Sequence, residues 1–144
     1  MSLLSPPITE ERFIIDLIPQ KKPFVMVDKL YEFSEHQIIS GLTITKNHFF
    51  TENGVFNAPG LIENMAQTVA MHKGYTYYLK DMAAPVGYIG AIKKVEILDL
   101  PKIGEELKTT VNILHDIMGV TLVEAFILCN AKRIAESSIK TALA

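Results

Sequence analysis

The sequence predicts an α+β fold in which an antiparallel sheet wraps around one long central helix. Residues 59–80 form the one segment in which apolar residues recur at helical spacing over several turns. Two strand-like segments precede it and four follow it, separated by turn-forming residues. Strands that follow one another without intervening helices pair as an antiparallel meander, and a single helix can then cover one face of the sheet.

A short helix and two strands are predicted before the long helix. Thr9 is a suitable N-cap for the short helix, and Pro19 ends it because proline cannot continue the helical hydrogen-bond pattern. Residues 48–58 predict a loop, with a turn signal at Asn53-Gly54. The predicted strands are residues 24–33, 38–45, 86–98, 105–115, 120–131 and 134–142.

The composition predicts a single domain over residues 1–144, because 49% of the residues are hydrophobic and 21% are charged. The net charge of −2 and the lack of a long basic run argue against a nucleic-acid partner. Cys129 is the one cysteine, which excludes a disulfide framework and fits a reducing compartment. We expect a cytoplasmic protein without a membrane partner, since the sequence shows neither a signal peptide nor a long uncharged apolar run.

Several common chemistries lack their sequence signatures. Neither a glycine-rich phosphate-binding loop nor a nucleophile elbow is present. The four histidines are scattered without metal-ligand spacing. We therefore expect no metal and no other cofactor.

A carboxylate near the start of the long helix stands out. The amides that begin a helix have no partner in a preceding turn, and with the helix dipole they can hold a carbonyl oxygen. Glu63 lies close to these amides, where it could transfer a proton next to a polarised thioester. The alternative is that Glu63 is only a favourable first-turn acid and Gln67 a surface residue, and the spacing alone favours this alternative.

Three segments resemble the 3-hydroxyacyl-(acyl carrier protein) dehydratases. Residues 18–29, IPQKKPFVMVDK, are similar to the family's L-P-H-R-x-P-F-L-L-V-D-R. Residues 63–67, ENMAQ, are similar to E-A-M-A-Q. Residues 87–107 are similar to F-A-G-I-D-x-A-R-F followed by P-V-x-P-G-D-x-L. The likeness runs in order from about residue 18 to residue 143 and identifies a divergent member of the family.

The resemblance implies a hotdog fold, assembled as a homo- or heterodimer or a higher oligomer. It implies elimination of water from 3-hydroxyacyl thioesters carried by an acyl carrier protein, in fatty acid or related polyene biosynthesis. The substrate would lie in a tunnel between subunits, where one subunit supplies a histidine and the other a glutamate. Glu63 matches that glutamate.

The histidine motif, F-F-x-G-H-F-P-G-x-P-x-x-P-G, is where the chain departs from the family. Aligned on Phe49-Phe50, the histidine falls on Asn53, which can orient a water or substrate but cannot accept a proton. Aligned without gaps on Glu63, it falls on Phe49, next to His48, which is then the best remaining base.

The remaining site residues are candidates for substrate binding. The gapless alignment places Ala58, rather than Gly60, at the glycine whose backbone N–H holds the carbonyl oxygen. The predicted substrate-binding set is Ala58, Gly60, Gln67 and Asn53. Residues 86–92 carry no charge, and an uncharged edge strand invites pairing, so we expect the dimer to form there.

Three functions stay open. The first is a hydro-lyase in which Glu63 protonates the leaving hydroxyl and His48 is the base. The second is an inert hotdog subunit that completes the site of an active dehydratase with Glu63. The third is an acyl thioesterase in which Glu63 activates a water. Loss of the histidine favours the last two, whereas the segments at residues 18–29 and 63–67 favour a dehydratase lineage.

Overall fold

The computed structural model describes residues 3–85 and 87–143, in which a seven-stranded sheet wraps around one helix of 22 residues. In chain order the elements are β1 (Leu3–Ile8), α1 (Glu11–Asp16), β2 (Lys29–Phe33), β3 (Gln37–Thr43), β4 (Thr51–Glu52), β5 (Val55–Phe56), α2 (Ala58–Leu79), β6 (Gly87–Ile97), β7 (Glu106–Ile117), β8 (Val120–Cys129) and β9 (Lys132–Leu143). This is the hotdog fold, and the predicted fold class is confirmed.

The strands of the large sheet lie in the order β1-β2-β3-β7-β8-β9-β6, and all neighbours are antiparallel. Strands β1 and β6 therefore form its two edges. Strands β4 and β5 form a separate two-stranded ribbon just before α2. No helix in residues 3–85 or 87–143 is both long enough and apolar enough to cross a membrane.

Helix α2 is the centre of the core. Leu61, Met65 and Met71 on this helix are fully buried against the concave face of the sheet. Gly74 brings the helix against the end of α1, since a Cβ at this position would lie 1.9 Å from the carbonyl oxygen of Leu17. These contacts fix the position of α2, which carries Glu63.

The N-terminal region differs from the prediction. Residues 3–8 were not predicted to form a strand, but they form edge strand β1. Its Pro6 and Pro7 are tolerated there because one side of an edge strand needs no ladder partner. The N-cap of α1 is Glu10 and not Thr9, because the Glu10 carboxylate accepts the backbone N–H of Arg12.

The other predicted elements are found with shifted ends. The predicted strand at residues 24–33 pairs in the sheet only from Lys29. The predicted loop contains the β4–β5 hairpin, and Asn53 and Gly54 form its turn with φ angles of 54° and 83°. Val86, at the predicted start of the first strand after the helix, lies outside the described residues.

Candidate active site

The N-terminus of α2 offers one amide to a ligand. The carbonyl oxygen of Asn57 accepts the N–H of Gly60 at 2.9 Å and that of Leu61 at 3.2 Å. The Gly60 amide, which we predicted to bind substrate, is therefore already used within the helix. Within residues 3–85 and 87–143 no hydrogen bond uses the Ala58 N–H, and Ala58 is then the better candidate for holding a carbonyl oxygen.

The absence of a side chain at Gly60 has a packing cause. A Cβ there would lie 2.6 Å from Phe56 Cζ and 2.7 Å from Phe50 Cβ. These distances are shorter than a van der Waals contact, so the two rings require glycine at this position. Gly60 thus allows the aromatic residues before α2 to pack against its first turn.

Glu63 follows one turn later and is half-buried. Its Oε1 accepts a hydrogen bond from Gln67 Nε2 at 2.9 Å. The same Nε2 donates to the carbonyl oxygen of Phe24 at 2.7 Å, and Gln67 Oε1 accepts the N–H of Met26 at 2.6 Å. Gln67, predicted to bind substrate, is fully buried and uses both of its N–H groups within its own chain.

Asn64 makes a parallel attachment. Its Nδ2 donates to the carbonyl oxygen of Met26 at 2.7 Å, and its Oδ1 accepts the hydroxyl of Thr109 at 2.5 Å. Residues 24–26 are thus held by side-chain amides of α2, which explains why they do not pair in the sheet. We call residues 24–28 the strap, because they cross α2 beside Glu63. The strap and α2 carry two of the segments that resemble the dehydratases.

An exposed aromatic surface lies beside the strap. The rings of Phe24 and Phe49 meet edge-on at 5.0 Å, and those of Phe49 and Phe50 at 5.1 Å. Phe24 is 46% exposed and Phe49 is 58% exposed, which is high for phenylalanine. Since the Phe24 carbonyl oxygen is bound to Gln67, this surface lies close to Glu63 and can contact an acyl chain or another subunit.

An apolar groove of about 430 Å³ runs along α2. Ala66, Ala70 and Lys73 line it, and these residues follow Glu63 by three, seven and ten positions, which places all four on one face of the helix. Lys73 Nζ lies 3.5 Å from the carboxylate of Asp116, which also lines the groove. The opposite wall is formed by the end of α1 and by β6 and β9; it includes Leu17, Ile18, Ile89 and Leu143.

Neither the groove nor the second cavity of this chain is lined by both His48 and Glu63. His48 lines a separate cavity of about 420 Å³ together with Asp28 and Val27, and Glu63 lines neither cavity. The His48 Nδ1 accepts the backbone N–H of Thr45 at 3.2 Å. Burial lowers the pKa of His48, and the charge of Asp28 partly opposes this effect.

Neither Asn53 nor His72 supplies the missing base. Asn53 is exposed at the turn of the β4–β5 hairpin. His72 lines the groove, but its Nε2 is 2.9 Å from the carbonyl oxygen of Ser34 and its ring stacks on Phe33 at 5.1 Å. Burial lowers the pKa of His72. These contacts make His72 a packing residue of the helix.

Comparison with known proteins identifies the family. The model of the ApeP-like family, described as ApeP dehydratase, matches residues 13–143. The chain belongs to the ApeP-like dehydratase family. The resemblance to 3-hydroxyacyl-(acyl carrier protein) dehydratases is thereby confirmed, and the departure at the histidine motif makes the chain a divergent member.

Three known proteins are similar to this chain, one in sequence and two in structure. The 3-hydroxyacyl-(acyl-carrier-protein) dehydratase FabZ of Haemophilus ducreyi is 25% identical over 144 residues, covering 96% of this chain and 93% of its own. The structure of the dehydratase heterocomplex ApeI:P from Xenorhabdus doucetiae matches with a TM-score of 0.83 at 18% identity, covering 91% of this chain and 90% of that chain. A hypothetical thioesterase of Streptococcus pneumoniae, solved with coenzyme A, has a TM-score of 0.66 at 9% identity over 80% of this chain and 84% of that chain. These structural matches show a common fold.

Sequence reasoning missed the groove and the strap. The groove forms where the end of α1 meets α2, β6 and β9, which are far apart in sequence. A signal for the strap was present, because Asn64 and Gln67 are side-chain amides on the buried side of α2. Buried amides need partners, and the strap backbone supplies them.

Proposed function

We propose that this chain is the glutamate-supplying subunit of a dimeric dehydratase, which removes water from 3-hydroxyacyl thioesters carried by an acyl carrier protein. The observation that carries the proposal is the placement of the Glu63 carboxylate on α2, five residues (about one and a half turns) after Ala58, whose N–H makes no hydrogen bond among the described residues. An acid beside an electrophilic amide is what elimination next to a thioester carbonyl requires.

In the proposed reaction the thioester oxygen accepts the Ala58 N–H, which makes the proton at C2 more acidic. A base removes this proton, and its electron pair forms the C2–C3 double bond. The C3–O bond breaks, and the hydroxyl leaves as water with the proton of Glu63. The base ends protonated and Glu63 ionised, so one proton transfer through solvent restores both groups.

We propose that the base is a histidine of a second hotdog subunit. His48 lines a cavity that does not include Glu63, and its Nδ1 accepts the Thr45 N–H, so within this chain His48 is not placed as a base beside Glu63. The structural relative from Xenorhabdus doucetiae is a dehydratase heterocomplex, which supports a hetero-oligomeric arrangement. A homodimer in which His48 of one subunit faces Glu63 of the other is the alternative.

We further propose that the subunits pair through edge strand β6. Ile89 and Ile92 on this strand are 44% and 36% exposed, although both are large apolar residues. An edge strand also leaves backbone N–H and C=O groups without ladder partners, and pairing with another strand satisfies them. Pairing at β6 would also extend the groove wall that Ile89 contributes.

The groove along α2 fits the acyl part of the proposed substrate. Its walls are largely apolar, and the distance along the axis from Glu63 to Lys73 is about 15 Å, roughly the length of an extended chain of twelve carbons. An acyl chain lying there would keep C2 and C3 next to Glu63. We propose medium-length 3-hydroxyacyl groups as the substrate class.

One assay tests the proposal. The purified chain is incubated with 3-hydroxydecanoyl carrier protein, alone and together with a histidine-containing hotdog dehydratase subunit, while enoyl product and free thiol are both measured. We expect enoyl product only in the mixture and none with Glu63→Gln. Product from the chain alone would support the homodimer, thiol release would support a thioesterase, and neither product in any pairing would refute the proposal.

A further inference from the structure

Gln67 has no free group with which to bind a substrate, and its contacts indicate another task. Its side chain is 0% exposed, and its amide joins Glu63, Phe24 and Met26. Two of these partners belong to the backbone of the strap. The Gln67 amide therefore connects the Glu63 carboxylate to the strap, which the same amide holds against α2.

The orientation of the Gln67 amide is dictated by its partners. The carbonyl oxygen of Phe24 can only accept a hydrogen bond, and the N–H of Met26 can only donate one. The nitrogen of Gln67 must therefore face Phe24, and the oxygen must face Met26. This leaves the second N–H of the same nitrogen for Glu63, which it reaches at 2.9 Å.

We propose that Gln67 is a positioning residue that fixes which oxygen of Glu63 carries the transferable proton. This inference rests on the proposed role of Glu63 as the acid. Because Nε2 of Gln67 is only a donor, Oε1 of Glu63 must remain an acceptor. A protonated Glu63 then carries its proton on Oε2, the oxygen that Gln67 does not contact.

Asn64 provides the matched control for this inference. It holds the strap through the carbonyl oxygen of Met26, and it is as deeply buried as Gln67, but none of its hydrogen bonds reaches Glu63. Gln67→Met and Asn64→Leu both remove a buried amide and keep a similar volume. Only the first variant releases the carboxylate.

The experiment compares kcat and KM of the two variants in the dehydratase pairing that is active with the unmodified chain. We expect kcat to fall by about 10- to 100-fold in Gln67→Met with KM changed by less than about threefold, since misplacement of a reacting group costs up to about 100-fold. In Asn64→Leu we expect kcat to stay within about threefold. Full kcat in folded Gln67→Met, or equal losses in both variants, would overturn the inference while leaving the proposed function intact.

A second measurement does not depend on activity or on the folding of the Gln67 and Asn64 variants. In nitrogen–proton correlation spectra of the unmodified chain, the Gln67 side-chain proton that faces Glu63 should shift as the carboxylate is protonated, and Glu63→Gln should abolish this shift. If the unmodified chain is inactive in every pairing, the proposed function fails. The titration then still tests, on its own, whether Gln67 donates a hydrogen bond to Glu63. A Gln67 side-chain signal that does not respond to the ionisation of Glu63 would overturn it.

Discussion

Ala70→Phe should convert the groove into a shorter one. Ala70 lies about 10 Å along the α2 axis from Glu63, which leaves room for roughly eight carbons before a ring at position 70. A twelve-carbon chain would then lose the burial of about four methylenes, each contributing about 0.8 kcal/mol. The total of about 3 kcal/mol corresponds to roughly a 200-fold change in the ratio of kcat/KM for twelve-carbon over eight-carbon substrates.

The assay is a competition between 3-hydroxyoctanoyl and 3-hydroxydodecanoyl carrier protein in the active dehydratase pairing, with both enoyl products measured by mass spectrometry. Leu79→Phe is the control, because Leu79 is 57% exposed at the end of α2 and does not line the groove. Its substrate ratio should match that of the unmodified chain. An unchanged ratio in folded Ala70→Phe would show that the acyl chain does not lie in this groove.

Three other changes test the acid, a buried histidine and the helix contact. Glu63→Gln should lower kcat by at least about 100-fold. Its melting temperature should stay within a degree or two of that of Glu52→Gln, a control at an exposed glutamate. Full activity of Glu63→Gln would exclude Glu63 as the acid. Burial lowers the pKa of His72, so its neutral form is favoured in the folded state and stability should be lost as the pH falls from about 6.5 toward that lower pKa. Urea unfolding between pH 8 and 5 should show this loss, and His72→Gln should reduce it. Gly74→Ala should lower the free energy of unfolding by at least about 1–3 kcal/mol, because its Cβ would lie 1.9 Å from the Leu17 carbonyl oxygen; an unchanged urea midpoint would contradict this.

The sequence was sufficient for the order of elements because periodicity is a local property. Helix α2 begins and ends within one residue of the predicted residues 59–80, and the four strands after it are present. Strand β1 could not be predicted, since its two prolines are acceptable only at a sheet edge, and the edge is defined by the pairing of distant strands.

The site was less predictable for a related reason. The role of Glu63 was suggested by its motif and its place on the helix, but Gln67, which contacts its carboxylate, is itself held by the strap, about 40 residues earlier in the chain. Gln67 was predicted to face substrate because burial cannot be derived from spacing alone. The alignment showed that the histidine motif is missing, yet only the three-dimensional structure shows that His48 lines a cavity that does not include Glu63.

The contact between Gly74 and Leu17 has a consequence for how the groove can change. At Gly74 the helix backbone faces the backbone of Leu17, and residues 16–20 form one wall of the groove. The separation of these two walls is therefore set by main-chain atoms, which side-chain substitutions alter little. Evolution or engineering can readily adjust the depth of the groove, through residues such as Ala66 and Ala70, but not its width. The protein is thus expected to accept acyl chains of altered length more easily than acyl chains of greater width.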